Sequence, residues 1–218
     1  MMKETRIAVD AMGGDGGPEI IMPSVKDFLS ENREVKIDVY GDEKILSKYL
    51  NLFDSDISRN LKIIHTDEKV LSEDSPSHAL RHKKNSSMSM AIKSVKDKNA
   101  QACVSAGNTG ALMAISRFIL GTLDGIDRPA IESMLPSLNG HTHVLDLGAN
   151  IDSKAEHLYQ FAVMGSALSS VLDEKEYPSV GLLNVGEETI KGSTQVKEAH
   201  DLLLTSKLNY VGFVEGDD

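Results

Sequence analysis

Two kinds of hydrophobic spacing alternate along the first half of the chain and predict an α/β protein. Short apolar, strand-like runs occupy residues 5–10, 35–41, 61–65 and 102–106. Between them, apolar residues recur every three or four positions, as in residues 43–53 with Ile45, Leu46, Tyr49 and Leu50. That spacing places the apolar side chains on one face of a helix. Because strands alternate with helices, we predict a parallel sheet with right-handed crossovers.

The second half continues the alternation with one interruption. Strands are predicted at residues 130–135 and 143–147, and the turn dipeptide Asn139-Gly140 between them predicts an antiparallel hairpin. Residues 153–156 match a capping box, which starts a helix that continues to about Leu172. Later elements are predicted as a strand at residues 180–185, a helix at 193–206 and a strand at 210–214.

The length of the chain fits one domain. A chain of 218 residues can bury one large core, and we predict a single α/β domain over residues 1–218. The chain ends at Glu215-Gly216-Asp217-Asp218, directly after a predicted strand and without a closing helix. We therefore expect the domain to be incomplete at its C-terminus.

One predicted strand turns directly into a helix through small residues. Residues 102–106 are apolar enough for a strand covered on both faces, and residues 110–120 are apolar enough for a largely buried helix. Between them, Gly107 and Gly110 allow close approach of a ligand, and Asn108 or Thr109 can cap the helix. Free N–H groups at a helix N-terminus bind anions. An ordinary strand-to-helix turn is the alternative.

The first predicted strand ends in a glycine-dense loop at residues 11–18. Its spacing is G-G-D-G-G, which matches neither the dinucleotide fingerprint nor the P-loop. Ligands of α/β folds bind at the carboxyl ends of the strands, so Gly13 and Gly14 are candidate ligand-binding positions. Asp15 is either a polar group of that site or a turn former.

Charge is distributed unevenly along the chain. The formal net charge of −10 argues against nucleic acid as a partner. The densest positive cluster, Arg81-His82-Lys83-Lys84, lies in residues 66–85, which interrupt the strand–helix rhythm. This cluster is either a solvated surface or a clamp in which Arg81 and Lys84 bind an anionic substrate or an acidic protein.

The spacing of the histidines and the position of the single cysteine do not by themselves identify a metal site or a nucleophile. His141 and His143 flank the predicted hairpin turn, but no third metal ligand is near them in sequence, so we interpret them as turn and strand-edge residues. The single Cys103 excludes an intramolecular disulfide, fits a reducing compartment and is interpreted as a core residue. No signal-peptide core and no apolar stretch of membrane-spanning length is present in the sequence.

Four predicted strand ends carry small or polar turns, at residues 13–17, 107–110, 148–152 and 186–192. In a parallel sheet these turns would lie along one edge and line a pocket for a phosphate-bearing ligand. Asp146 and Asn150 are candidate site residues, because side chains at the carboxyl end of a strand would face the ligand-binding crevice. His157, in the first turn of its helix, is either a general acid or a hydrogen-bonded surface residue.

Several runs along the chain together resemble one known family. They are IAVDAMGGD, ACVSAGNTGALMA, GIDRPAI, LDLGAN with AEHL, GLLNVGEE and the final GFVEGDD. Collinear and spread over nearly the whole chain, they are similar to landmarks of the bacterial phosphate acyltransferase (PlsX-type) family. The resemblance implies a three-layer α/β/α sandwich with a mostly parallel sheet, like that of isocitrate and isopropylmalate dehydrogenases. Family members continue well beyond the last residue of this chain.

The resemblance also implies an activity and partners. It implies transfer of a fatty acyl group from acyl carrier protein to inorganic phosphate, giving acyl phosphate for phospholipid synthesis, and we expect no cofactor and no metal. For that reaction, Asn108, Asp146 and Asn150 are candidates to orient the reacting groups. Lys191 is a candidate to stabilise the oxyanion or the leaving group, and an inert surface lysine is the alternative. It further implies a cytoplasmic homodimer with a peripheral contact to the inner membrane face. A dehydrogenase on the related fold and a non-catalytic scaffold that binds the carrier protein are the alternatives.

Overall fold

The computed structural model describes residues 5–138, 140–150, 152–186 and 191–216. The chain divides into two compact units, residues 1–121 and 122–218, and each is described by itself. The expectation of a single domain that is incomplete at its C-terminus stays a prediction.

The first unit contains a four-stranded, wholly parallel sheet with the strand order β3-β2-β1-β4. Its strands are β1 (Arg6–Asp10), β2 (Lys36–Gly41), β3 (Leu61–His65) and β4 (Ala102–Ser105). Its helices are α1 (Pro18–Glu31), α2 (Glu43–Leu46), a 3₁₀ helix (Ser47–Leu52), α3 (Ser55–Ser58), α4 (Pro76–His82), α5 (Ser87–Lys96) and α6 (Thr109–Leu120). The parallel sheet predicted from the alternating pattern is confirmed.

Alternate residues of the strands face opposite layers of helix. Val9 and Val39 belong to one buried cluster together with Met22 and Leu29 of α1. Ala8, from the other face of β1, belongs to a second buried cluster that includes residues of α5. This period of two explains why the inner strands are apolar on both faces, and it gives the first unit helices on either side of its sheet.

Three local predictions in the first unit are wrong. The helix predicted over residues 43–53 ends at Leu46 and continues as a 3₁₀ helix. Residues 66–85, for which the sequence predicted no element, contain the short helix α4. The strand β4 is not covered on both faces: it lies at the end of the described sheet, and Val104 is 53% exposed. The helix α6 is only partly buried, because Ala111 and Ile115 are its buried residues and Phe118 is exposed.

The described residues of the second unit form two small sheets and two helices. The strands β5 (Glu132–Ser137) and β6 (Gly140–Leu145) pair antiparallel, as predicted, whereas β7 (Ser179–Leu183) and β8 (Asn209–Val214) pair parallel. The helices are α7 (Ala155–Leu172) and α8 (Thr194–Leu204). A core of Leu182, Leu203 and Phe213 packs β7 and β8 against the two helices, with Ala155 and Ala199 contributed by α7 and α8. Asn139 of the predicted hairpin turn lies outside the described residues.

The start of α7 differs from the predicted capping box. The N-cap is Lys154, and the Nδ1 atom of His157 accepts a hydrogen bond from the backbone N–H of Lys154 at 3.2 Å. The imidazole therefore takes the place that a glutamate side chain would have in a capping box. Among the described residues, no helix has both the length and the apolar character needed to cross a membrane.

Candidate functional site

A buried carboxylate joins the ends of two neighbouring strands in the first unit. Asp10, the last residue of β1, pairs in register with Ser105, the last residue of β4. The Ser105 hydroxyl donates to Asp10 Oδ2 at 2.7 Å, and the Asp10 carboxylate is 1% exposed. Ser105 Oγ also accepts from the backbone N–H of Gly107 at 3.1 Å, so the pair fixes the start of the turn that follows β4.

The glycine-dense loop after β1 lies directly against this turn. A Cβ atom added to Gly13 would be 2.6 Å from Asp10 Oδ2 and 3.0 Å from the Cα of Gly107. The next residue, Gly14, has φ +79°, and a Cβ there would be 2.8 Å from the carbonyl oxygen of Ala106. Side chains at these positions would separate the two backbones, so the glycines allow the two strand-end loops to meet.

Asn108 connects the N-terminus of α6 to another loop. Its Oδ1 accepts from the backbone N–H of Ala111 at 3.0 Å, which makes it the N-cap that the sequence predicts. Its Nδ2 donates to the carbonyl oxygens of Asp74 at 2.8 Å, Ser72 at 3.0 Å and Leu71 at 3.4 Å. The side chain therefore holds the loop at residues 71–74 beside the helix N-terminus.

These contacts surround a cavity of about 430 Å³ at the N-terminus of α6. It is lined by Gly14, Asp15, Ser72, Ala106, Gly107, Asn108, Thr109 and Gly110. Within the described ranges, the backbone N–H groups of Thr109 and Gly110 have no hydrogen-bond partner, as is usual in the first turn of a helix. Donors of this kind, at the positive end of a twelve-residue helix, are suited to a phosphate-sized anion.

The predicted basic clamp is less closely connected to the cavity. Arg81 lies in the last turn of α4 and Lys84 follows that helix; both are exposed, and neither lines the cavity. The carboxylate of Asp74 accepts from the N–H of Leu71 at 2.8 Å and contacts His78 at 3.0 Å. The backbone hydrogen bond, and then the nearby histidine, hold the pKa of Asp74 below its ordinary value.

Asp146 and Asn150, predicted from sequence in the second unit, lie together. The Asp146 carboxylate accepts from the backbone N–H groups of Ile131 at 2.8 Å and Asn150 at 2.7 Å, and from Asn150 Nδ2 at 3.0 Å. Asn150 Nδ2 also donates to the carbonyl oxygen of Pro129 at 3.0 Å. Both side chains therefore organise the turn after β6, and their role in catalysis stays a prediction.

Lys191 follows a segment, residues 187–190, that lies outside the described residues. Its side chain is exposed, and its carbonyl oxygen accepts from Asn184 Nδ2 at 3.5 Å. Asn184, directly after β7, also donates to the carbonyl oxygen of Gly186 at 3.0 Å. The asparagine thus bonds to the residues on both sides of residues 187–190, while the role of Lys191 stays a prediction.

The structure shows the surroundings of His157 and Cys103, two residues that the sequence analysis considered. His157 is 6% exposed and hydrogen-bonded at the start of α7, so it is buried and not a surface residue. Cys103 packs as a partly buried residue against two core clusters. Burial, and then the charge of Asp10, raise the pKa of its thiol to about 12, which is consistent with a core residue and not with a nucleophile.

Sequence reasoning missed Asp10, Ser105 and Ser72 as parts of the site. The first two were visible as polar residues that end two apolar runs, IAVD and ACVS. Nothing in the sequence indicates that their side chains meet, because they are 95 positions apart. Ser72 reaches the cavity only through the hydrogen bonds of the neighbouring loop to Asn108.

Comparison with known proteins places the whole described fold in one family. The family model described as "Fatty acid synthesis protein" matches residues 5–218. The chain belongs to this family. Its relatives include proteins named phosphate acyltransferase from Methylococcus capsulatus, 56% identical over 98% of this chain, and from Nitrosococcus oceani, 55% identical over 97%. The resemblance inferred from the sequence motifs is confirmed. The chain spans 63% and 62% of the length of these two relatives.

Solved structures with a similar fold have much lower sequence identity to this chain. A EutD phosphotransacetylase from Staphylococcus aureus covers 95% of this chain with a TM-score of 0.64 and 19% identity. A branched-chain phosphotransacylase from Enterococcus faecalis covers 96% with a TM-score of 0.61 and 15% identity. At this level of identity the similarity shows the fold alone, and it confirms the α/β class with a mainly parallel sheet.

Proposed function

We propose that this chain transfers a fatty acyl group from an acyl carrier protein thioester to inorganic phosphate and forms an acyl phosphate. The observation that supports the proposal most directly is the cavity at the N-terminus of α6, where the N–H groups of Thr109 and Gly110 are available to an anion. Relatives at 56% and 55% identity carry the name phosphate acyltransferase, and a cavity for a phosphate-sized anion agrees with that name.

The chemistry requires little from the protein beyond positioning and charge stabilisation. A phosphate oxygen attacks the thioester carbonyl carbon, and the tetrahedral oxyanion collapses as the carbon–sulfur bond breaks. The proton lost by hydrogen phosphate balances the one gained by the departing thiolate, so no oxidant, reductant or covalent enzyme intermediate is needed. Holding the phosphate in one orientation converts this encounter into an effectively intramolecular step.

In this proposal the cavity residues bind the attacking phosphate. Gly107, Thr109 and Gly110 present backbone to the anion, Gly14 lines the cavity beside them, and Gly13 packs against Gly107. Asp15, which lines the cavity, accepts a hydrogen bond from a phosphate hydroxyl. Asn108 holds this geometry through its four hydrogen bonds.

We assign further roles in the reaction to charged and polar groups outside the cavity. Lys191 stabilises the oxyanion or the departing thiolate, and Asp146 with Asn150 orients the reacting groups. The exposed Arg81 and Lys84 contribute positive charge toward phosphate and toward the acidic carrier protein. A cytoplasmic location, a homodimer and a peripheral contact with the inner membrane face also belong to the proposal, and they rest on family resemblance.

The test is a phosphate-dependent thiol assay. The chain is mixed with acyl carrier protein thioester and inorganic phosphate; released thiol is quantified, and the acyl phosphate is trapped with hydroxylamine. We expect equal amounts of thiol and hydroxamate, and neither product above background without phosphate. The relative from Methylococcus capsulatus, assayed in parallel, is the positive control.

The alternative outcomes separate the remaining functions. Carrier-protein binding without thiol release would indicate a scaffold and overturn the proposal. Thiol release that does not depend on phosphate would indicate a thioesterase-like activity and overturn it as well. Lys191→Met is expected to reduce kcat with little effect on phosphate affinity, whereas unchanged kcat would remove Lys191 from the mechanism.

A further inference from the structure

Three possible metal ligands converge at the β5–β6 hairpin of the second unit. His141 Nε2 lies 2.8 Å from Asp173 Oδ1, and His143 Nε2 lies 3.4 Å from the same oxygen. The ligand atoms of the three residues all lie within 4.8 Å of one another. Four-coordinate Zn²⁺, with bonds of about 2.0–2.1 Å, places neighbouring ligand atoms about 3.3 Å apart, so these separations require only small adjustments.

The hairpin and a helix end each supply part of this set. His141 and His143 are two positions apart on β6, so their side chains lie on the same face of the strand. Asp173 is the C-cap of α7, 30 positions further along the chain, and the packing of α7 against β6 brings it to the histidines. This residue is the third ligand that the local sequence around the two histidines lacks.

A second set of contacts orients two of the ligands. Glu132 Oε1 lies 2.7 Å from His143 Nδ1, which leaves Nε2 of the same ring directed to Asp173. The Ser169 hydroxyl donates to Asp173 Oδ2 at 2.7 Å and leaves Oδ1 on the side of His141. A carboxylate behind a histidine ligand and a hydrogen bond behind a carboxylate ligand are typical of zinc sites.

We propose that His141, His143 and Asp173 bind one Zn²⁺ ion, or a similar transition-metal dication, with water in the fourth position. Two imidazoles and one carboxylate are the ligand types that Zn²⁺ prefers. His143 and Asp173 have side chains only 5% and 9% exposed, while His141 is 40% exposed and leaves solvent access. Lys175 Nζ, 3.6 Å from Asp173 Oδ2, approaches the other carboxylate oxygen and is 55% exposed, so it can move away.

The ion would connect the hairpin to the C-terminal end of α7. Binding to the folded chain alone stabilises it, so the Tm is expected to rise with Zn²⁺ concentration. This function is additional to the proposed acyl transfer, whose chemistry uses no metal. The test of the metal site is therefore independent of the test of that activity.

The experiment measures Zn²⁺ affinity of the untagged 218-residue chain by calorimetry, with Co²⁺ as a spectroscopic substitute. We expect one ion per chain and the intense visible absorption of four-coordinate Co²⁺. His141→Gln and Asp173→Asn are each expected to weaken Zn²⁺ binding at least tenfold, and Glu132→Gln about tenfold. Circular dichroism and Tm without metal establish that each variant is folded.

The matched control is a second histidine pair in the first unit. His78 and His82 lie one turn apart on α4, with ring centroids 5.0 Å apart, and His78 contacts Asp74. His78→Gln should leave Zn²⁺ affinity within twofold of the parent chain. Loss of Zn²⁺ binding in this control alone would overturn the site. Unchanged affinity in folded His141→Gln or Asp173→Asn, or no binding by the parent chain at micromolar free Zn²⁺, would overturn it as well.

Discussion

Asp10 and Ser105 form a hydrogen bond of 2.7 Å between the last residues of two adjacent parallel strands. Only one other described donor contacts the carboxylate, the backbone N–H of Met12 at 3.2 Å. Because the same serine oxygen also accepts from Gly107, one hydroxyl links the end of β1 to the turn that precedes α6. The shape of the proposed phosphate site therefore depends on a contact that phosphate itself does not touch.

Replacing Ser105 by alanine is expected to destabilise the chain by about 1–3 kcal/mol, since a buried carboxylate loses its hydroxyl donor. Urea unfolding followed by circular dichroism measures the change. Ser30→Ala is the control, because its exposed hydroxyl bonds only within α1, and its effect should stay within about 0.5 kcal/mol. Equal stability of the Ser105 and Ser30 variants would show that the Asp10 contact contributes nothing.

Gly13→Ala is expected to destabilise the chain by about 1–3 kcal/mol and to weaken phosphate binding, because the new methyl would meet Asp10 and the backbone of Gly107. The control is Gly16→Ala in the same loop. A methyl there would meet only the side chain of Ile20, which is 63% exposed and can move. Thermal unfolding and phosphate calorimetry on both variants distinguish close backbone packing at Gly13 from a general effect of changing this loop. Equal losses of stability and phosphate affinity in both variants would contradict a specific role of backbone packing.

Thr109→Pro tests the backbone donor directly. Thr109 is the first residue of α6, a position that accepts proline, and Asn108 has the extended ψ of 111° that suits a residue before proline. The substitution removes one N–H and little else, so phosphate affinity should fall about tenfold or more while the Tm changes little. Thr109→Ala retains the N–H and serves as the control. If Thr109→Pro binds phosphate as tightly as Thr109→Ala, this N–H does not bind the anion.

Cys103 is expected to resist alkylation in the folded chain. Its pKa is raised from 9.0 to about 12 by burial and by Asp10. At pH 8 this lowers the thiolate fraction about a thousandfold, a factor that follows from three pKa units. Iodoacetamide labelling followed by mass spectrometry should therefore be slow until denaturant is added. Equal labelling rates in the folded and unfolded chain would contradict the burial of this thiol.

The same shift predicts how alkaline pH affects stability. The unfolded thiol loses its proton near pH 9.0, whereas the folded thiol retains it to about pH 12. The unfolded state therefore binds fewer protons in this interval, and the free energy of unfolding falls as the pH rises through it. Urea midpoints of the parent chain and Cys103→Ser across this range measure the contribution. A parallel decline in both proteins would assign the effect to other groups, such as Tyr210, whose pKa burial also raises to about 12.

Local sequence determined most elements, because their signals lie within a few residues. The turn from β4 into α6 was predicted from adjacent small residues, and Asn108 caps the helix as expected. The Ser75-Pro76 pair that starts α4 is also a local signal, but the seven-residue helix is too short to show a clear hydrophobic period. The helix predicted over residues 43–53 became partly 3₁₀, a difference that periodicity does not resolve.

Sequence by itself therefore determined the α/β class, the family and the helix N-terminus, and it marked the glycines of the strand-end loops without showing that their backbones meet. Tertiary structure alone decided the strand order β3-β2-β1-β4, and with it the contact of Asp10 with Ser105. It also decided that Asn108 bonds to the loop at residues 71–74 and that Asp173 joins His141 and His143. The physical reason is the same in each case: side-chain chemistry and spacing are local properties, whereas contacts across 30 to 95 positions depend on how strands and helices pack.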